Sequence, residues 1–155
     1  IANISHVKRL RIHTRLPIVL PERINSTLLT SLTQSRLQPI MVVHVNHANE
    51  IDTSVKLVLQ NLIAHGITVL NQSVLLHGVN DNITTLINLS EALFNCGVLP
   101  YYLHLLDRVQ GAAHFEVPEN QAVELLEQMR VQLPGYLVPK MVREVAGTAY
   151  KQPVN

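Results

Sequence analysis

Pro39-Ile40-Met41-Val42-Val43-His44-Val45-Asn46 stays apolar through consecutive positions and turns polar only towards its carboxyl end. A strand of that kind is buried on both faces, as in a parallel sheet covered by helices. Working outward, three more runs follow: Leu10-Arg11-Ile12-His13, Ile67-Thr68-Val69-Leu70-Asn71-Gln72 and Leu99-Pro100-Tyr101-Tyr102-Leu103-His104-Leu105-Leu106. Counted from residues 10, 41, 69 and 102, the steps are 31, 28 and 33 residues. Roughly 30 residues make one strand–helix unit. A weaker fifth strand is read at Tyr136-Leu137-Val138-Pro139-Lys140-Met141-Val142.

The segments between the strands carry helix signals. Asn25-Ser26-Thr27 precedes Leu28, Leu29 and Leu32; Asp52-Thr53-Ser54 precedes Val55, Leu59 and Leu62, with a stop at His65-Gly66. Asn80-Asp81-Asn82 opens a helix that ends at Cys96-Gly97, and Pro118-Glu119-Asn120 opens one that ends before Pro134-Gly135. Asn and Asp are favoured N-caps, and glycine just past three of the four helices is the expected terminator. The alternation predicts an α/β fold, part of a (β/α) barrel, with an open doubly wound sheet as second choice. No linker, low-complexity stretch or second domain is evident, so residues 1–155 are read as one partial domain.

Composition narrows the function classes. With 12 Lys+Arg against 11 Asp+Glu the net charge is +1, which excludes a broad basic face for nucleic acid. Hydrophobic residues make up 47% and aromatic ones 4%, so the core must be built from Leu, Val and Ile. The single cysteine, Cys96, excludes an internal disulfide and any cysteine-rich metal site made by this chain alone. It reads as a small buried hydrophobe. No apolar run reaches the ~18 residues of a membrane span and no signal peptide opens the sequence, so a cytoplasmic location is expected. The start at Ile1 reads as that of a fragment or a processed product.

In parallel α/β folds function gathers at the carboxyl ends of strands. Here those ends carry His13-Thr14-Arg15; His44, Asn46, His47 and Asn49-Glu50; Asn71-Gln72-Ser73; His104 and Asp107-Arg108; and Arg143-Glu144 with Gly147 and Lys151. Five such ends point to a polar site, the alternative being that these residues cap helices and satisfy loop backbone. Single motifs add little. His44-x-x-His47 has an offset that sends strand side chains to opposite faces, which disfavours a metal pair. Arg15 and Arg23 are possible phosphate ligands, but no Gly-x-Gly phosphate loop occurs. Lys151 follows the small residues Ala146-Gly147-Thr148-Ala149 and is either a Schiff-base lysine or a solvated one.

Over essentially its whole length the sequence resembles the lysine 2,3-aminomutase family. The matching stretches are residues 9–24 (RLRIHTRLPIVLPERI), 44–50 (HVNHANE), 70–76 (LNQSVLL), 79–81 (VND), 100–107 (PYYLHLLD), 111–115 (GAAHF) and 135–139 (GYLVP). Within the family it most resembles the branch that makes (R)-β-lysine for modifying elongation factor P. The resemblance implies a radical S-adenosylmethionine (SAM) isomerase. It also implies a partial (β/α) barrel of that type, of which this chain is the C-terminal portion. The implied cofactors are pyridoxal phosphate, SAM and a 4Fe–4S cluster; the substrate is L-lysine, whose amino group shifts from C2 to C3 by radical chemistry.

Residue by residue, the resemblance makes Lys151 the pyridoxal phosphate lysine. Asp107 matches a carboxylate that binds the substrate's ε-ammonium group, and Glu144 falls where a second such carboxylate is an aspartate. His44 and Gln72 match SAM contacts, with Asn71 beside them. The family's Cys-x3-Cys-x2-Cys cluster motif is absent, since Cys96 stands alone. The resemblance therefore implies that the cluster ligands lie upstream and that the fragment alone is inactive. Elongation factor P and its ligase are implied as pathway partners, and a homo-oligomer is possible. The rivals are a catabolic lysine or glutamate aminomutase and a non-catalytic half-barrel that binds or scaffolds.

Overall fold

A computed structural model describes residues 1–155 other than Arg108; Arg108, read above at the end of the fourth strand, lies outside the described residues. The strands are β1 (Arg9–His13), β2 (Gln38–His44), β3 (Thr68–Val74), β4 (Leu99–His104), β5 (Lys140–Arg143) and β6 (Gln152–Pro153). The α-helices are α1 (Leu16–Val19), α2 (Ser26–Thr33), α3 (Thr53–Ala64), α4 (Ile83–Phe94) and α5 (Glu119–Gln132). The sheet runs β1-β2-β3-β4-β5-β6 in chain order, parallel throughout except for the antiparallel β5–β6 pair. A doubly wound sheet reverses its strand order at a switch point. This one never does, and it curls as a half-barrel.

The helices form where side-chain caps start them. Asn25, Asp52 and Asn82 each accept from the backbone N–H three residues on, at 3.0, 2.8 and 2.9 Å, starting α2, α3 and α4. One face of the sheet packs against them. Met41, Val43 and Val69 join Leu29, Leu59 and Leu93 in one buried cluster. Leu103, Leu105 and Met141 join Leu126 and Met129 in a second. Cys96 is buried in the first, and burial pushes its thiol pKa up.

Three sequence expectations need correction. The fifth strand starts after Pro139 rather than at Tyr136, because residues 135–137 close into a 3₁₀ turn. β6 was not anticipated: two residues carry no periodicity. Gly135 lacks a positive φ, so α5 is ended by Pro134 and not by a left-handed glycine.

Gly97 does end α4 in that way. Its φ is +80°, and an added Cβ would meet Ile63 Cδ1 at 2.8 Å. Gly97→Ala is therefore expected to cost about 2 kcal/mol of stability, from left-handed strain plus the displaced methyl. Gly78, with φ +71° and open space around it, provides the comparison. In chemical denaturation of the full-length protein, Gly97→Ala should lose more than Gly78→Ala. Equal losses would assign the whole effect to backbone strain.

Candidate functional site

The site lies on the sheet face opposite the helices. Because Met41, Val43 and Val69 point into the helix-side core, Val42, His44, Leu70 and Gln72 point the other way. His44 pairs in register with Gln72, and Gln72 with Tyr102. On β4 the alternation is reset by a bulge. Asn71 pairs with Pro100 but Gln72 pairs with Tyr102, so Tyr101 is the extra residue. Pro100 brings no N–H to the ladder there. The reset puts Tyr102 and His104 on the same concave face as His44 and Gln72, while Leu103 keeps to the core. The signal was present in the sequence: a proline inside an otherwise central strand marks an irregularity.

Three polar atoms on this face are buried without a hydrogen-bond partner among the described residues: His44 Nε2, Gln72 Oε1 and His104 Nε2. Buried polar groups are nearly always satisfied, so three on one face mark a place where a polar ligand is wanted. His13 extends the row, its ring edge-on to His44 with centroids 6.4 Å apart, and Tyr102 stands edge-on to His104 at 5.7 Å.

The imidazoles on this face are held towards the neutral form. Burial lowers the pKa of His104, which is 7% exposed, and the Lys151 cation adds to the effect. Burial is also the main cause for His44, then the charge of His13; for His13 it is burial, then Arg11, with the neighbouring Gln72 side chain opposing. With folded pKa values below the ordinary 6.5, the unfolded chain binds more protons once the pH drops beneath that value. Stability should therefore fall as the pH is lowered from about 7 towards 5, and His104→Asn should flatten the profile. A thermal midpoint constant across that window, measured on the full-length protein, would contradict this account.

Lys151 and Glu144 face each other across the β5–β6 hairpin. The register pairs Arg143 with Gln152, so the flanking residues 144 and 151 come opposite one another. Gly147 turns the chain with φ +82°, and the Thr148 hydroxyl is 2.7 Å from the Val145 carbonyl. Lys151 Nζ forms an ion pair with Glu144 Oε1. That pairing, through its hydrogen bond first and its charge second, holds the Glu144 carboxyl below the usual carboxylate range. Lys151 Nζ also lies 5.8 Å from the centre of the Tyr102 ring.

Asp107 and Glu144 line one cleft of about 560 Å³, together with Arg143 and Glu119. Arg143 is neutralised there by Glu119 at 2.6 Å. Among the described residues Asp107 makes no ion pair. With Glu116 the cleft holds, among the described residues, four carboxylates against one guanidinium that is already paired, and such a cleft is suited to a cation.

Asn71 does not join the concave set. It points to the helix side, 2% exposed, where its Oδ1 accepts from Val45 N at 2.9 Å and its Nδ2 donates to Val45 O at 3.1 Å. Its amide is committed to backbone, so its bearing on any ligand runs through the position of β2. Asn46 and Asn80 do similar work. Asn46 Oδ1 accepts from Val74 N at 2.9 Å, and Asn80 Nδ2 donates to Asn46 O and Val74 O, both at 2.9 Å. His47 caps a short turn by accepting from Asn49 N at 3.1 Å, and so does not converge with His44. Arg15 pairs with Glu50 at 2.5 Å, so its charge is not spare for a phosphate.

The residues present fit two of the implied cofactors and not the third. Lys151 reaches a cavity of about 620 Å³ whose wall also holds Tyr102, Arg130 and Lys140. Arg130 there is paired with Glu127, which leaves Lys140; a primary amine beside an aromatic face and one such cation suits a flat, anionic aldehyde. His44 Nε2 and Gln72 Oε1 offer unpartnered polar atoms to a ligand such as SAM. For an iron–sulfur cluster there is only a buried cysteine, and no group of three or more His, Cys, Asp or Glu is placed to hold a metal among the described residues.

These features define a class: a singly wound parallel half-barrel with a polar concave face and an ion-paired lysine at its edge. No protein-family model matches the chain. It is 52% identical over 152 residues to the L-lysine 2,3-aminomutase of Escherichia coli K12, covering 98% of this chain and 44% of that protein. To the protein of the same name in Haemophilus influenzae it is 52% identical over 149 residues, covering 96% and 44% respectively. To that of Buchnera aphidicola subsp. Baizongia pistaciae it is 48% identical over 155 residues, covering 100% and 46%. In sequence the chain is thus similar to part of these L-lysine 2,3-aminomutases, and it spans about half the length of the curated relatives it matches.

Proposed function

We propose that the protein containing this chain is a radical SAM L-lysine 2,3-aminomutase that converts L-lysine to (R)-β-lysine for the modification of elongation factor P. The observation that carries this reading is the arrangement on one sheet face. Unpartnered His44 Nε2 and Gln72 Oε1 lie towards one side, and the Lys151–Glu144 pair towards the other. When bound, pyridoxal phosphate supplies a conjugated electron sink and SAM a source of a carbon radical. The work of this chain's residues is binding, orientation and exclusion of water.

In this reading Lys151 holds the aldehyde cofactor through its amine, with Tyr102 beside it. His44 and Gln72 contact SAM, and Asn71 keeps the end of β2 in place for them through Val45. Asp107 and Glu144 take the terminal ammonium of lysine, with Asp107 making no competing ion pair among the described residues. The surplus of carboxylates in that cleft disfavours glutamate as the substrate. The cluster takes its cysteines from outside residues 1–155.

Borohydride reduction of the full-length protein loaded with pyridoxal phosphate, followed by peptide mapping, tests the assignment. The pyridoxyl label is expected on Lys151. A label on Lys8, Lys56 or Lys140 instead would remove it.

A further inference from the structure

Glu144 has two claimants. In the structure its carboxylate holds the Lys151 ammonium, and the β5–β6 hairpin sets the two residues opposite each other, so the contact is prepared by backbone geometry. Yet Glu144 also lines the cleft of Asp107, and its side chain remains 54% exposed. Among the described residues Lys151, at 29% side-chain exposure, pairs with no other carboxylate. One carboxylate already neutralised by one ammonium attracts a second more weakly, and the two cations repel.

We propose that Glu144 is a shared counter-ion: Lys151 holds it while its own amine is free, and releases it to the terminal ammonium of the substrate once that amine is engaged elsewhere. The proposal rests on the reading of Asp107 and Glu144 as the ammonium clamp. It adds an order of events which that reading lacks. Whatever takes the charge from Lys151 improves the clamp, and by linkage an ammonium in the clamp favours the uncharged, engaged state of Lys151. Attachment at Lys151 and capture of the substrate's tail therefore promote each other.

The test uses the full-length protein without pyridoxal phosphate and, as probe, Nα-acetyl-L-lysine N-methylamide, whose only charge is the terminal ammonium. Binding is measured by calorimetry at low ionic strength. Lys151→Met and Lys151→Gln are each expected to bind the probe about three-fold more tightly than the parent, the gain from removing an exposed ion-pair competitor. Lys151→Arg keeps the cation and should bind as the parent does. Glu144→Gln should weaken binding about ten-fold, the loss of a charge-assisted hydrogen bond, and adding Lys151→Met to it should bring no gain.

If Glu144→Gln weakens binding but neither neutral Lys151 variant tightens it, the shared counter-ion is wrong and the clamp stands. If Glu144→Gln has no effect in either background, the clamp and the shared counter-ion fall together. A gain in Lys151→Arg equal to that in Lys151→Met would show that removing the cation is not what tightens binding, and would overturn the proposal.

Discussion

Asn80→Leu is expected to destabilise the full-length protein by about 4 kcal/mol, the cost of leaving buried backbone groups without partners at ~1–3 kcal/mol each. Asn80 is fully buried, at 0% exposure. Its Nδ2 donates to Asn46 O and to Val74 O, both at 2.9 Å, and its Oδ1 accepts from Leu76 N at 2.7 Å. Leucine matches the shape and satisfies none of these groups. The three bonds tie the loops that leave β2 and β3, the strands ending in His44 and in Gln72-Ser73-Val74. Loss of the tie should therefore also loosen SAM binding in the fraction that remains folded. Urea denaturation gives the stability, and a loss below about 1 kcal/mol would mean that water takes over the three contacts.

Asp107→Asn is expected to raise the KM for lysine about 100-fold while changing SAM affinity less than two-fold; losing one partner of a charge-assisted contact costs roughly 2–3 kcal/mol. The physical basis is the cleft it shares with Glu144. Arg143 there is already paired with Glu119, and Glu144 is held by Lys151. Asp107 makes no ion pair among the described residues, and in the proposed reading it is the carboxylate on which an incoming ammonium first depends. SAM is assigned to His44 and Gln72, on strands β2 and β3. Steady-state kinetics with SAM-binding titrations decide the matter. Parallel losses for lysine and SAM would assign Asp107 a structural role.

Much of the architecture was legible because it depends on local chemistry. The caps Asn25, Asp52 and Asn82 act within three residues of themselves, and each makes the backbone bond its position implies. Gly66 and Gly97 take the positive φ that a left-handed helix end requires. The apolar runs read at 39–46, 67–72 and 99–106 coincide with β2, β3 and β4, because β-branched runs about 30 residues apart suit a parallel sheet, although helices cover only one of its faces. Gly135 misled because glycine permits a left-handed conformation without demanding it.

The candidate site was legible as a set of residue types and not as an arrangement. Asn71 and Gln72 are adjacent and equally polar, yet one faces the core and the other the site. The two-residue period of a strand separates them, and only the burial of Val69 says which is which. His104 reaches the concave face because β4 carries an extra residue at Tyr101, a shift that pairing with β3 reveals. Lys151 meets Glu144 because β6 folds back on β5, a two-residue pairing with no signal of its own.

The sequence alone determined the βα order, the helix starts, the resemblance to the aminomutase family and the names of the residues able to do chemistry. These follow from interactions spanning a few positions, or from similarity along the whole chain. Tertiary structure alone decided which side of the sheet each residue serves, that three asparagines hold strand ends together, and that Lys151 and Glu144 are partners. Those outcomes depend on register and closure between segments 7 to 34 residues apart, where a shift of one position exchanges the two faces of a strand.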